Sequence, residues 1–236
     1  MNPQSQSSWL KNVRAAACVA LLALPLSVSA GIAEGLGWLA TQPNANGSFG
    51  GTSASLATEG RSTAEVLRTY QEMGQQSQPP YAPALSFLNN DTADQTRFLS
   101  YKIVVNAAAG NDTTALVNAL LAHQNADGGF GDNSGQSSSI LDTAFALQAL
   151  AAANYTSGQQ AAAAVGFLMN RQGAAGGWAD GENDAAVYVT ALALQALHEA
   201  LKAGDVLGGL TSSEILPIRI ELARWIGWLS RAVDVK

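Results

Sequence analysis

Three carboxylates, Asp180, Glu182 and Asp184, alternate with Gly181 and Asn183, and a second oxygen-rich run, Asn125, Asp127, Asp132 and Asn133, surrounds Gly128, Gly129 and Gly131. Clustered carboxylates can move protons or hold a hard cation through oxygen. Neither run has the EF-hand spacing with its central glycine and terminal glutamate, and Asp, Asn and Gly are also what turns and helix starts require. Both runs therefore read as turn and N-cap chemistry, and no metal is assigned. His123 and His198 stand isolated in sequence. His123 ends a helix beside Gln124, where it favours the C-terminal dipole, and His198 abuts Glu199 on a long helix, so both are expected in ordinary helix-surface roles. The single cysteine, Cys18, lies in the N-terminal apolar run and leaves the rest of the chain without a thiol nucleophile or thiolate ligand. No catalytic residue and no cofactor follow from these groups.

The elements that must position them repeat. Gln42 to Phe49, Gln124 to Phe130 and Gln172 to Trp178 each join a glutamine, a glycine turn and an aromatic ring, and each lies between Ala/Leu-rich stretches. Phe130 and Trp178 are 48 positions apart and Phe49 and Phe130 are 81 apart, so one degenerate unit sits between the first two clear copies. The chain reads as helical hairpins. Gly31–Gln42 pairs with Ser62–Gly74, Pro83–Leu88 with Thr92–Ala109, Asn111–Gln124 with Ser139–Ala153, and Gly158–Arg171 with Asp184–Ala203. A ninth helix is expected from Ser212 to about Arg231, as a cap or as the start of further repeats. In each turn the glycines allow positive φ, so a helix can end and the chain can double back within a few residues. The aromatic covers the hairpin tip. The glutamine, with both an amide donor and a carbonyl acceptor, can tie the loop backbone or the next helix start.

Composition sets the context. The chain has 236 residues, 47% hydrophobic but only 13% charged, a balance that suits an exported protein. Lys11 and Arg14 precede the apolar run Ala15 to Leu26, and Val28-Ser29-Ala30 offers a signal-peptidase site. Residues 1–30 are thus expected to be a signal peptide and 31–236 the mature repeat domain, periplasmic or extracellular, with no stable membrane span after cleavage. Losing two cations and no acid would move the net charge from −6 to −8, a poor match for nucleic acid.

The segments Gln124-Asn-Ala-Asp-Gly128-Gly-Phe130 and Gln172-Gly-Ala-Ala-Gly176-Gly-Trp178 resemble the Gln-x-x-x-Gly-x-Trp repeats of squalene and oxidosqualene cyclases and of protein prenyltransferase β-subunits. The helices Leu141 to Leu150 and Tyr188 to Leu197 strengthen the likeness, while Gln42 to Phe49 departs by one inserted residue. The resemblance implies an all-α fold, an α/α toroid or part of one, with inner helices lining a cavity. The enzymes' chemistry does not come with it. The cyclases' Asp-x-Asp-Asp acid is missing, as are the Asp, Cys and His zinc ligands of the prenyltransferases and the Cys–Gln pair of the thioester relatives.

Trp38, Phe145, Phe167, Trp178 and Tyr188, with Trp225 and Trp228, are the aromatic residues that could line such a cavity, although rings at helical spacing are also core material. The expectation is an exported, non-catalytic domain acting in binding or scaffolding, its partner a protein or an apolar small molecule. The alternative is a terpene-cyclase- or prenyltransferase-like enzyme acting on an isoprenoid.

Overall fold

Thr58 and Ser139 begin helices for the same reason. Each hydroxyl accepts the backbone N–H three residues on, Arg61 at 3.3 Å and Asp142 at 3.0 Å, and so pairs one of the donors a helix start leaves open. The computed structural model describes residues 31–51, 57–155, 159–179 and 186–202. Within them α1 covers 31–40, α2 Glu59–Glu72, α3 Tyr81–Asn90, α4 Thr96–Ala108, α5 Thr114–Leu121, α6 Ile140–Ala152, α7 Gln159–Asn170 and α8 Val187–Lys202. No β-strand occurs among the described residues. The signal peptide expected over 1–30 and the ninth helix expected from Ser212 lie outside them.

The other expected helices are present with shifted ends, but they pair differently: α3, α5 and α7 pack chiefly on the helices that precede them, α2, α4 and α6, and of the expected partners only α7 and α8 pack together, lightly. Helix α2 starts three residues before Ser62, because Thr58 rather than a later residue caps it. Helix α3 starts at Tyr81 and carries Pro83 inside its first turn, where a missing N–H costs nothing. Helix α4 starts at Thr96 instead of Thr92, since Asp91 is extended and its carboxylate accepts the Ala93 N–H at 2.9 Å.

The even-numbered helices form an inner row in which α4 packs between α2 and α6, and α6 between α4 and α8. The odd-numbered helices lie outside: α3 packs on α2, α5 on α4, and α7 on α6 and more lightly on α8. The core runs between the two rows and includes Leu67, Leu88, Ile103, Leu120, Leu147, Leu150 and Leu168, all fully buried. Helix α6, in the middle of the inner row, is buried over most of its circumference, as its nearly unbroken Ala/Leu/Phe sequence requires.

The glycine turns join the rows. In the second turn the Gln124 side-chain amide donates to the Gly128 carbonyl at 2.9 Å and to the Gln160 carbonyl, at the start of α7, at 2.8 Å. One glutamine thus ties both its own loop and the next hairpin. Gly128 has φ +85°, and a Cβ there would lie 2.5 Å from the Ala163 carbonyl oxygen, so glycine is required both by conformation and by the approach of α7. Phe167 closes the same contact against Gly129. In the third turn Gln172 donates to the Gly176 carbonyl at 2.8 Å. Phe49, Phe130 and Trp178 are all buried beneath their turns, and Trp178 also donates its indole N–H to the Leu168 carbonyl at 2.7 Å.

The first turn keeps this geometry with a different register. Asn44 N–H donates to the Ser48 carbonyl and Gly47 N–H to the Asn44 carbonyl, the pattern made by Asn125, Gly128 and Gly129 and by Gly173, Gly176 and Gly177. Pro43, not Gln42, therefore occupies the glutamine's position. The Gln42 side-chain amide donates to the neighbouring Thr41 hydroxyl, and the Asn44 amide ties the loop instead, at 2.9 Å to Ser48 Oγ and 3.0 Å to the Gly50 carbonyl.

Candidate functional site

A threonine in each clear repeat sets how the inner helices face the centre. Thr63, Thr143 and Thr190 accept the backbone N–H of the turn aromatics Phe49, Phe130 and Trp178 at 2.9, 2.9 and 3.0 Å. Each is followed by alanine, so the pair Thr-Ala marks the spot where inner helix and turn meet. With that residue pointed at the turn, the positions two and five further on fall together on another face of the helix. These are Glu65 and Arg68 on α2, Phe145 and Gln148 on α6, and Leu192 and Gln195 on α8. On α4, which lacks the threonine, Tyr101 and Val104 take the corresponding places.

Together these positions line one concave trough of about 700 Å³, continued by Arg61 and Tyr188 at the N-terminal ends of α2 and α8 and by Ala152, Glu199 and Lys202 at the C-terminal ends of α6 and α8. The volume is within the range of small-ligand sites. Its floor is aromatic: the Tyr101 and Phe145 rings meet edge to face, with centroids 5.5 Å apart and planes at 66°. Tyr188 stands beside them with 56% of its surface exposed. Burial pushes the Tyr101 hydroxyl above the ordinary tyrosine range, opposed by the Arg61 charge and reinforced by Tyr188 and Glu65, so the group serves as a neutral donor and acceptor.

The charges at the rim are largely paired. Arg68 bridges Glu65 at 3.5 Å and Glu72 at 3.6 Å, and Lys202 meets Glu199 at 3.2 Å. Arg61 is the one trough cation without an ion pair among the described residues. The Gln148 amide is half-buried and the Gln195 amide exposed.

Of the aromatic residues proposed for a cavity, the fold brings Phe145 and Tyr188 together in this trough. Phe167 and Trp178 are packed instead under the turns between the two rows, and Arg171 lies over the Phe167 ring at 4.9 Å from its centroid. Trp38 sits on α1 away from the trough and is 63% exposed. Trp225 and Trp228 lie outside the described residues. Tyr101 completes the aromatic floor; the sequence does not mark it, because no glycine–aromatic turn lies between α3 and α4 from which to phase the inner helix.

His123 is a correction. It is buried, not on a helix surface, and its Nδ1 bonds the Thr96 hydroxyl at 2.9 Å, while that hydroxyl donates to the Gly131 carbonyl at 2.5 Å. The histidine thus ties the start of α4 to the second turn. His198 is exposed on α8. No group of three or more His, Cys, Asp or Glu side chains placed to hold a metal occurs among the described residues. Among the same residues no helix is long and apolar enough to cross a membrane.

The model of the prenyltransferase alpha-alpha toroid domain matches residues 93–216, more than half of the chain. A solved structure of a protein from Actinoplanes is similar in fold, with a TM-score of 0.55 at 20% identity. The match covers 73% of this chain and 63% of that one, so this chain spans less than two thirds of that relative's length, and at such identity the likeness is one of fold alone. No curated protein matches the sequence.

Proposed function

The chain belongs to the prenyltransferase alpha-alpha toroid domain family, and from that premise we propose that it is an exported, non-catalytic binding domain that receives its ligand on the concave face of the inner helices. The observation that carries this reading is the aromatic floor of Tyr101, Phe145 and Tyr188 set among amides and paired charges. Large, rigid rings offer contact area at small entropic cost, and the surrounding polar groups fix orientation. The basic, apolar and small-residue succession over residues 1–30 supports export.

The enzyme reading asks for something this trough does not favour. Protonating a polyene needs a carboxylic acid in a dry, sealed cavity. The carboxylates that reach the trough, Glu65 and Glu199, are exposed and lie beside Arg68 and Lys202.

Native mass spectrometry of the protein taken from its own exported pool, with extraction of the same sample, tests the proposal. A bound small molecule released on denaturation, and absent from a Phe145→Ala, Tyr188→Ala double variant, is the expected result. Recovery of the chain only in the uncleaved form inside the cell, or a bound isoprenoid recovered in chemically altered form, would overturn it.

A further inference from the structure

We propose that the trough takes a short, linear oligosaccharide, an assignment that rests on the trough's being the binding surface. Its walls decide against a purely apolar occupant. Gln148 lies half-buried next to Phe145, with Gln195, Arg61 and Asn154 around the same space. A hydrocarbon filling the trough would strip water from these groups and return no hydrogen bond, a cost borne by each of them.

A sugar ring offers both surfaces the trough requires. Its C–H faces cover aromatic rings, and its hydroxyl edges both donate and accept. The exposed face of Tyr188 is the stacking surface, and the edge-to-face pair of Tyr101 and Phe145, 9% and 8% exposed, forms the apolar floor beside it. The planar amides of Gln148 and Gln195 each supply donors and an acceptor, and the Arg61 guanidinium supplies a fork of donors with no ion pair to hold it among the described residues. The other trough charges, Arg68 with Glu65 and Lys202 with Glu199, are already partnered, which favours a neutral ligand over a strongly charged one. From Tyr188 to Lys202 the lining follows α8 for about 21 Å at the rise of an α-helix, a length that suits several linked units better than one.

Isothermal titration calorimetry with cellotetraose, chitotetraose and maltotetraose, and with farnesol as an apolar probe, tests the assignment. The titrations use the parent protein and Tyr188→Ala, Gln148→Ala and Trp38→Ala variants that melt like it. At least one tetrasaccharide is expected to bind with a Kd of about 1 mM or tighter, about tenfold weaker in Tyr188→Ala and in Gln148→Ala, and unchanged in Trp38→Ala, whose side chain lies outside the trough. If no tetrasaccharide binds but farnesol does, and Tyr188→Ala weakens it, the saccharide assignment falls while the trough stands as the binding surface. If neither class binds, both fall. Saccharide binding indifferent to Tyr188 and Gln148 would also overturn the assignment.

Discussion

Replacing the three turn glutamines one at a time by alanine should produce a graded loss of stability. Gln124 makes two hydrogen bonds through one amide, to the carbonyls of Gly128 and Gln160. At a net contribution of about 1 kcal/mol each, Gln124→Ala should cost about 2 kcal/mol, since both carbonyls lie where water cannot fully replace the donor. Gln172 makes one such bond, to Gly176, and its removal should cost about 1 kcal/mol. The Gln42 side-chain amide bonds the hydroxyl of its exposed neighbour Thr41, so Gln42→Ala should stay within about 0.5 kcal/mol of the parent. In a chain of this size 1 kcal/mol moves the melting temperature by about 2–4 °C, so the Gln124 variant should melt about 4–8 °C lower. Urea denaturation gives the same ranking as shifts in midpoint at constant slope. A Gln42→Ala variant as damaged as Gln124→Ala would refute the register in which Pro43 takes the glutamine's place.

Other expectations follow from single contacts. Gly128→Ala must force an L-residue into φ +85° and push its methyl against the Ala163 carbonyl, a combined loss of about 2–4 kcal/mol, whereas Gly135→Ala, also at positive φ but with open space around it, should lose only about 1–2 kcal/mol; equal melting temperatures would contradict this. Thr143→Val leaves the buried Phe130 N–H without its acceptor and should cost about 1–3 kcal/mol by chemical denaturation. Glu59 accepts from the Ser48 hydroxyl and from the Asn46 amide at 3.0 Å, hydrogen bonds that hold its carboxyl below the ordinary glutamate range. A folded-state value lowered in this way stabilises the protein above the unfolded glutamate's pKa, and the contribution disappears as pH falls through the folded value. The stability gap between the parent and Glu59→Gln should therefore shrink over that acid window; a gap independent of pH would sink the assignment.

Much of the architecture could be read from the sequence because glycine and an aromatic ring punctuate it. Gly128 and Phe130 locate a turn, Gly176 and Trp178 another, and the Ala/Leu stretches between them are long enough to be helices of a hairpin array. Counting alone could not align Gln42, since an insertion before a glycine turn leaves open which residue stands at the helix end, and only the hydrogen bonds of Asn44 identify Pro43. The inner faces were obscured for a related reason. Alanine-rich helices such as α6 have weakly marked faces, so the rings of Phe145 and Phe167 look equivalent in sequence although one faces the trough and the other a turn. The signal that separates them was present in the sequence. Thr143-Ala144 and Thr190-Ala191, like Thr63-Ala64, point a hydroxyl at the turn and so give each inner helix its rotation. Helix α4 has no such threonine, which is why Tyr101 emerged only from the fold. His123 resembles a helix-end cation in sequence, yet the chain that returns through Gly131 and the start of α4 encloses it.

The five tyrosines of the chain are Tyr70, Tyr81, Tyr101, Tyr155 and Tyr188, and only Tyr101 and Tyr188 line the trough. Fluorine NMR of protein labelled with 3-fluorotyrosine, each resonance assigned by a Tyr→Phe variant, therefore reads trough occupancy against three internal controls. Titration with a tetrasaccharide or farnesol, whichever binds, should move the Tyr101 and Tyr188 resonances and leave those of Tyr70, Tyr81 and Tyr155 in place. Shifts confined to the latter three, or binding without any change at Tyr101 and Tyr188, would contradict the claim that the concave face of the inner helices is where this domain meets its ligand.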